Sequence, residues 1–299
     1  MDYGSVLKKG WEISWRNKGL WILGILSGCT SGAGNPSQTV SYQTSGQDFG
    51  NLGRLFPQVP EELWAVLLAG FVLVALVLVV IFIVLGILGQ AGLIAGVAHA
   101  DETGSVRLGE AWRMGRPHFW RLLGLALLLM AVAIGIALVV GFVTIFTFGL
   151  ALLCLLPLIC LGVPVAIILS GYLNLAQNGI VLEKQGVFEA LGKAWDLLRA
   201  NFWPVVLMAL IVLIINAVAG LLIAMPLFLA SLPLLAIAAS QSDKGLTAFL
   251  PLVGCFLLYL PVLLVLGGIL KTYVSGVWTL TYRRLSGLGL AAVVVPSPS

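Results

Sequence analysis

Long apolar stretches alternate with short charged ones along this chain. Between Arg121 and Glu183 no residue carries a formal charge. At about 1.5 Å per residue a helix of that length crosses a roughly 30 Å hydrocarbon core twice, so the run predicts a two-helix hairpin. Uncharged runs between Glu62 and Asp101, between Arg199 and Asp243, and between Lys244 and Lys271 each hold one helix of about 20 residues. A shorter run follows Lys18. None shows the in-and-out alternation of outer-membrane strands, so the pattern predicts helices that satisfy their own backbone bonds. Six spans are expected, near residues 18–30, 63–90, 120–145, 149–173, 203–225 and 248–271. Pro157, Pro164, Pro251 and Pro261 fall inside two of them and predict kinks.

A second period lies between the spans. In Val187, Phe188, Leu191, Ala194, Trp195 and Leu198 apolar residues recur at helical spacing, with Glu189, Lys193, Asp196 and Arg199 on the other side. The segment predicts an amphipathic helix, and Pro204 opens the next span where its missing N–H matters least. The pattern recurs upstream. Ala111 and Trp112 match Ala194 and Trp195, Arg116 matches Arg199, and Phe119 and Trp120 match Phe202 and Trp203 without a gap. A looser copy opens the chain with Gly10, Trp11 and Trp21. The fold class expected is therefore an all-α integral membrane protein of three repeats, each an amphipathic interfacial helix followed by a two-helix hairpin. The units run over about 1–99, 100–183 and 184–299 of one membrane domain, with a polar outer loop over 28–62.

Composition agrees, with 60% hydrophobic and 9% charged residues and a mean hydropathy of +1.09. Charge adds direction. Of 16 Lys and Arg, 14 lie in four clusters: Lys8, Lys9, Arg16, Lys18; Arg107, Arg113, Arg116, Arg121; Lys184, Lys193, Arg199; and Lys271, Arg283, Arg284. Placing all four in the cytoplasm obeys the positive-inside rule, puts both termini inside and requires an even number of crossings between clusters. The stretch 226–240 is apolar enough for a seventh crossing, but that would turn Lys271, Arg283 and Arg284 outward, so it is read as an outer-surface or re-entrant segment.

Candidate chemistry is sparse. Asn174, Gln177 and Asn178 share one helix face near the inner end of the fourth span, and Asn216 and Gln90 are similarly placed. Such amides bond helices together or line a path. No acidic or basic residue falls near the middle of a span, which counts against ion-coupled transport. His99 and His118 have no HExxH-like spacing, and Cys29, Cys154, Cys160 and Cys255 form no CxxC pair, so no metal or cofactor is expected. No nucleophile elbow, Walker loop or dinucleotide fingerprint occurs. Leu26-Ser27-Gly28-Cys29 reads as a short span ending in a Gly-rich turn, with a lipoprotein cleavage box as the alternative.

The stretch GIVLEKQGVFEALGKAWDLLRANFW and the closing TYRRLSG resemble uncharacterised prokaryotic multi-pass membrane proteins. These are similar in pattern to the membrane domain attached to some glycerophosphoryl diester phosphodiesterases. Leu182, Glu183, Gly186, Val187, Glu189, Ala190 and Leu191 match one motif, and Tyr282, Arg283 and Arg284 the other, without the acidic residue often found between Tyr and Arg. The catalytic barrel and its HRG-type motif are absent, so the resemblance implies architecture and work at a lipid surface, not that activity.

The function expected is non-enzymatic. Trp112, Arg116, Trp120, Trp195, Arg199 and Trp203 would engage anionic lipid headgroups or a protein partner on the cytoplasmic face of a prokaryotic membrane, with no nucleic acid involved. The alternative is a passive transporter or permease component whose path is lined by Asn174, Gln177, Asn178 and Asn216.

Overall fold

The structure, a computed structural model, describes residues 2–34, 61–147, 150–240 and 245–288. It is helical throughout, and no strand occurs among the described residues. The helices are α1 (Tyr3–Arg16), α2 (Gly19–Gly34), α3 (Glu61–Thr103), α4 (Leu108–Gly115), α5 (Phe119–Phe146), α6 (Leu150–Leu182), α7 (Val187–Ala200), α8 (Phe202–Ser240) and α9 (Gly245–Leu285). A 3₁₀ turn, Arg116–His118, joins α4 to α5.

Five segments are long and apolar enough to cross a membrane: Ala69–Thr103, Leu108–Thr144, Gly162–Leu182, Phe202–Pro226 and Phe256–Leu285. The apolar part of α2, Gly19–Gly28, is shorter. The environment of these helices follows from their surfaces. Every residue of α5 from 131 to 140 is exposed, and Phe71, Leu138, Phe142, Leu222, Phe228 and Leu258 stand outward. Apolar surface on this scale is stable only against hydrocarbon, so the protein is a multi-pass membrane protein.

Among the described residues, close packing concentrates at one end. Buried residues concentrate in the last turns of α3, α6 and α9, where Leu93, Val97, Leu175, Ile180, Val277 and Tyr282 are almost inaccessible. This explains where the helices end. The apolar runs stop near residues 90, 173 and 271, but the helices continue to Thr103, Leu182 and Leu285 because α4, α7 and α1 pack against those extensions. At 43 residues α3 is about 65 Å long, twice the hydrocarbon thickness. Lys271 is accordingly separated from its sequence cluster, lying about 18 Å along α9 from Arg283. Its neighbour Thr272 donates to the carbonyl of Leu20 at 3.1 Å, near the start of α2.

Residues 226–240, read from the sequence as an outer-surface or re-entrant segment, continue α8 without a break. An apolar surround favours keeping backbone bonds inside the helix, and a proline forfeits only one of them. Likewise α6 runs unbroken through Pro157 and Pro164, and α9 through Pro251 and Pro261. The polar loop between the first two long segments lies, apart from its ends in α2 and α3, outside the described residues, as do the chain's last eleven residues and the side chain of Cys29.

Local chemistry sets the short helices. Asp2 caps α1 by accepting from Ser5 N at 3.3 Å. Glu110 and Glu189 each reach back to the N–H preceding their helix, on Arg107 and Gly186, at 3.3 and 3.4 Å. Basic residues Arg16, Arg113 and Arg199 occupy the last turns of α1, α4 and α7, where the helix dipole favours them. Just beyond the ends of α3, α6 and α9 the backbone turns left-handed at Gly104, Lys184 and Gly287, with φ of 81°, 56° and 76°. Lys184 bears a Cβ there, which costs about 1 kcal/mol. Lys184→Gly should therefore leave the protein equally or slightly more heat-stable in detergent, by up to about 1 kcal/mol, whereas Lys184→Val should lower its Tm.

Candidate functional site

The site grows from three small residues. Gly10, Ala111 and Ala194 each precede a tryptophan, and all three are buried. Their size lets one helix approach another closely. A Cβ on Gly10 would sit 3.1 Å from Val277 on α9. Ala111 faces Gly92 and Gly96 on α3, and one turn on, a Cβ at Gly115 would come within 2.5 Å of the Gly92 nitrogen. On α7, Ala190 lies against Gly179 of α6, and Ala194 and Leu198 share a buried cluster with Leu175 and Ala176. The apolar faces of α1, α4 and α7 thus meet protein: α9, α3 and α6 respectively.

The aromatic residues flank that face. Trp120 and Trp203 are 76% and 71% exposed, Trp195 is 45% exposed, and Phe188 also stands outward. Trp112 differs, half-buried against the cluster that includes Val97 and Ala111. Arg116 and Arg199 are exposed, the latter with its guanidinium 4.6 Å from the centre of the Trp195 ring. On α1, Trp11 stacks on Trp15 at 5.5 Å, and Trp15 lies beside Trp21. His118 is buried and spends its Nδ1–H on the Met114 carbonyl at 3.2 Å, so it serves the α4–α5 turn.

Charged residues knot the same end together. Tyr282, buried, donates to Glu183 Oε1 at 2.8 Å. Glu183 Oε2 accepts from Gln185 at 2.8 Å and pairs with Lys193 of α7. The buried Arg283 donates to the Ala98 carbonyl at 2.8 Å, and its two terminal nitrogens lie 2.9 Å from Asp101 and 2.6 Å from Glu102. Asp101 also pairs with Lys9 of α1. Arg284 donates to Ser5 Oγ at 2.8 Å and to the Asp2 carbonyl at 3.2 Å. Three consecutive residues of α9 therefore hold the α6–α7 turn, the end of α3 and the start of α1. Arg121 bonds the Lys184 carbonyl and adds α5.

The four intramembrane amides behave differently from one another. Asn174, Asn178 and Asn216 donate to carbonyls one turn back on their own helices, at 2.7, 2.8 and 3.0 Å. Gln177 alone crosses, accepting from Gln90 of α3 at 3.2 Å, while Gln90 accepts from Ser27 of α2. Asp101, Glu183, Arg283, Tyr172 and Tyr273 have structural roles that periodicity did not single out. Glu183 and Arg283 fell within the two motifs of the family resemblance, whereas Asp101, Tyr172 and Tyr273 carried no sequence signal beyond lying at or near the end of an apolar run.

Polytopic helical architecture, with three short helices seated on its charged end, defines a multi-pass membrane protein. The chain belongs to the family described as Domain of unknown function (DUF7847), whose model matches residues 1–285. Neither a curated protein nor a solved structure matches it.

Proposed function

We propose that this is a non-enzymatic six-span protein of a prokaryotic cytoplasmic membrane, whose α1, α4 and α7 form a cytoplasmic collar engaging anionic lipid. The observation that carries the reading is the two-sided character of the collar helices. Their small residues are committed to protein contacts, which leaves Trp195 and Arg199 of α7 outward, beside Arg116, Trp120 and Trp203 where α4 and α7 lead into the next helices; indoles suit the headgroup layer and guanidinium groups suit phosphate. The resemblance of the motif from Leu182 to Leu191 and of Tyr282–Arg284 to phosphodiesterase-linked membrane domains supports the same surface. In this reading the chain is three units closed into a ring. Each collar helix sits on the second long helix of the preceding unit, α4 on α3 and α7 on α6, and α1 completes the circle on α9. The left-handed turns at Gly104, Lys184 and Gly287 support that equivalence. Helix α2 supplies the sixth crossing. The amides Asn174, Asn178 and Asn216 bond their own helices, which supports a packing role over a solvated path.

The test is lipid selectivity. With Arg116→Glu and Arg199→Glu combined, bilayer-reconstituted protein should lose most of its preference for spin-labelled phosphatidylglycerol over phosphatidylcholine. Each basic residue near an anionic surface contributes about 1 kcal/mol, so the loss should exceed tenfold. Insertion should be unaffected. Unchanged selectivity in correctly folded variant protein sinks the reading.

A further inference from the structure

Two surface grooves share one construction. The first lies between α6 and α7, has a volume of about 300 Å³, and is lined by Val165, Ile168, Leu169, Tyr172, Trp195 and Leu198. Its base is a T-shaped pair, Tyr172 and Trp195, with ring centres 6.1 Å apart at 88°. The Tyr172 hydroxyl is spent on the Leu191 carbonyl at 3.1 Å, so the ring presents only its apolar body to the groove. The second lies between α1, α8 and α9, measures about 220 Å³, and has the pair Trp11 and Tyr273 at 5.8 Å and 77°. The two tryptophans hold the same place after Gly10 and Ala194.

Three features identify the occupant of the first groove. Its lining is apolar, and its upper wall, Val165 and Leu169, continues onto the hydrocarbon-facing surface of α6. In a bilayer an acyl chain is the apolar body that reaches such a wall. Arg199 supplies the polar end. It follows Leu198 in the chain, is fixed over the Trp195 ring at 4.6 Å, and takes part in none of the ion pairs among the described residues. A guanidinium held at the rim of an apolar groove, with no carboxylate of its own, suits a phosphate.

We infer that the α6–α7 groove binds one acyl chain of an anionic phospholipid whose phosphate rests on Arg199. The inference rests on the lipid-engaging reading above and gives it an address. The Trp195 indole separates the two parts of the ligand, its face turned to the cation and its plane nearly perpendicular to the Tyr172 ring.

The experiment uses full-length protein in phosphatidylcholine bilayers doped with phosphatidylglycerol carrying a diazirine in one acyl chain, with crosslinks mapped by mass spectrometry. Crosslinks should fall on residues 165–172 and 195–198. They should exceed those from a diazirine-labelled phosphatidylcholine by about fivefold, the factor that corresponds to about 1 kcal/mol for one basic residue near anionic lipid. Arg199→Gln should reduce phosphatidylglycerol labelling to the phosphatidylcholine level. Leu169→Trp, which fills the groove from an exposed position, should remove labelling there for both lipids while labelling of α5 persists. Equal labelling by the two lipids, or groove labelling that survives Leu169→Trp, overturns the inference. If whole-protein selectivity for phosphatidylglycerol persists without crosslinks at 165–172, the groove assignment falls and the collar reading stands. If that selectivity is absent altogether, both fall.

Discussion

Replacing Arg283 with alanine should destabilise the protein by about 3 kcal/mol or more, the largest loss expected from any single charged residue here. Three acceptors depend on this one guanidinium: the Ala98 carbonyl, Asp101 and Glu102. Glu102 is half out in solvent and can rehydrate, but the Asp101 side chain is only 12% exposed and would keep Lys9 alone as a partner. An anion left under-compensated at low exposure costs more than the pair contributed when intact. Arg283→Lys should recover less than half of the loss, because one ammonium cannot fork across three acceptors. Lys9→Ala should cost under about 1 kcal/mol, its side chain being nearly half exposed. Asp101→Asn in the Arg283→Ala background should restore part of the stability, since it removes the stranded charge. Thermal unfolding in detergent, read as monodisperse protein by size exclusion, provides the measurement. An Arg283→Ala protein within about 0.5 kcal/mol of the parent would show that the knot contributes little.

The second large effect is steric. Helices α2 and α9 meet backbone to backbone at Gly24 and Gly268, where a Cβ on Gly24 would overlap the Gly268 carbonyl oxygen and Thr272 Oγ1, and a Cβ on Gly268 would overlap Ile25. The obstacles include backbone, which cannot swing aside as a side-chain tip can. Gly24→Ala should therefore force the helices apart, break the Thr272 to Leu20 hydrogen bond, and cost about 3 kcal/mol, at the upper end of overpacking penalties. Gly24→Leu should prevent recovery of folded protein. Gly28→Ala is the control: nothing lies within 4 Å of a Cβ built there, and it should be neutral to within about 0.5 kcal/mol. A Gly24→Ala protein as stable as the Gly28→Ala control would show that α2 and α9 do not meet backbone to backbone at this point.

Particular residues show how far local sequence reached. The periodicity of Val187 to Leu198 named an amphipathic helix, and α7 spans Val187–Ala200. It left open whether lipid or protein covers the apolar face, since leucine and alanine suit either. The answer was written in size: Gly10, Ala111 and Ala194 sit where backbones approach, and Trp11 and Trp195 where they do not. Trp112 occupies the matching position yet packs inward, so repetition of a residue did not carry its environment with it. The polar knot was harder still to anticipate. Glu183 and Tyr282 are 99 positions apart, and Arg283 lies 181 positions from Glu102, with no local spacing that links them.

What the chain determined by itself follows from short-range chemistry. Uncharged runs dictate membrane helices because hydrocarbon offers the backbone no other partner, and a glutamate in the first turn sets where α4 and α7 begin. Only the tertiary structure decided where the long helices end, which side of each amphipathic helix is covered, and which charges are paired. Those outcomes depend on which segments pack together, some adjacent in the chain, as α4 on α3 and α7 on α6, and some at its opposite ends, as α1 on α9, and the long helices outlast their apolar runs where these short helices fold back upon them.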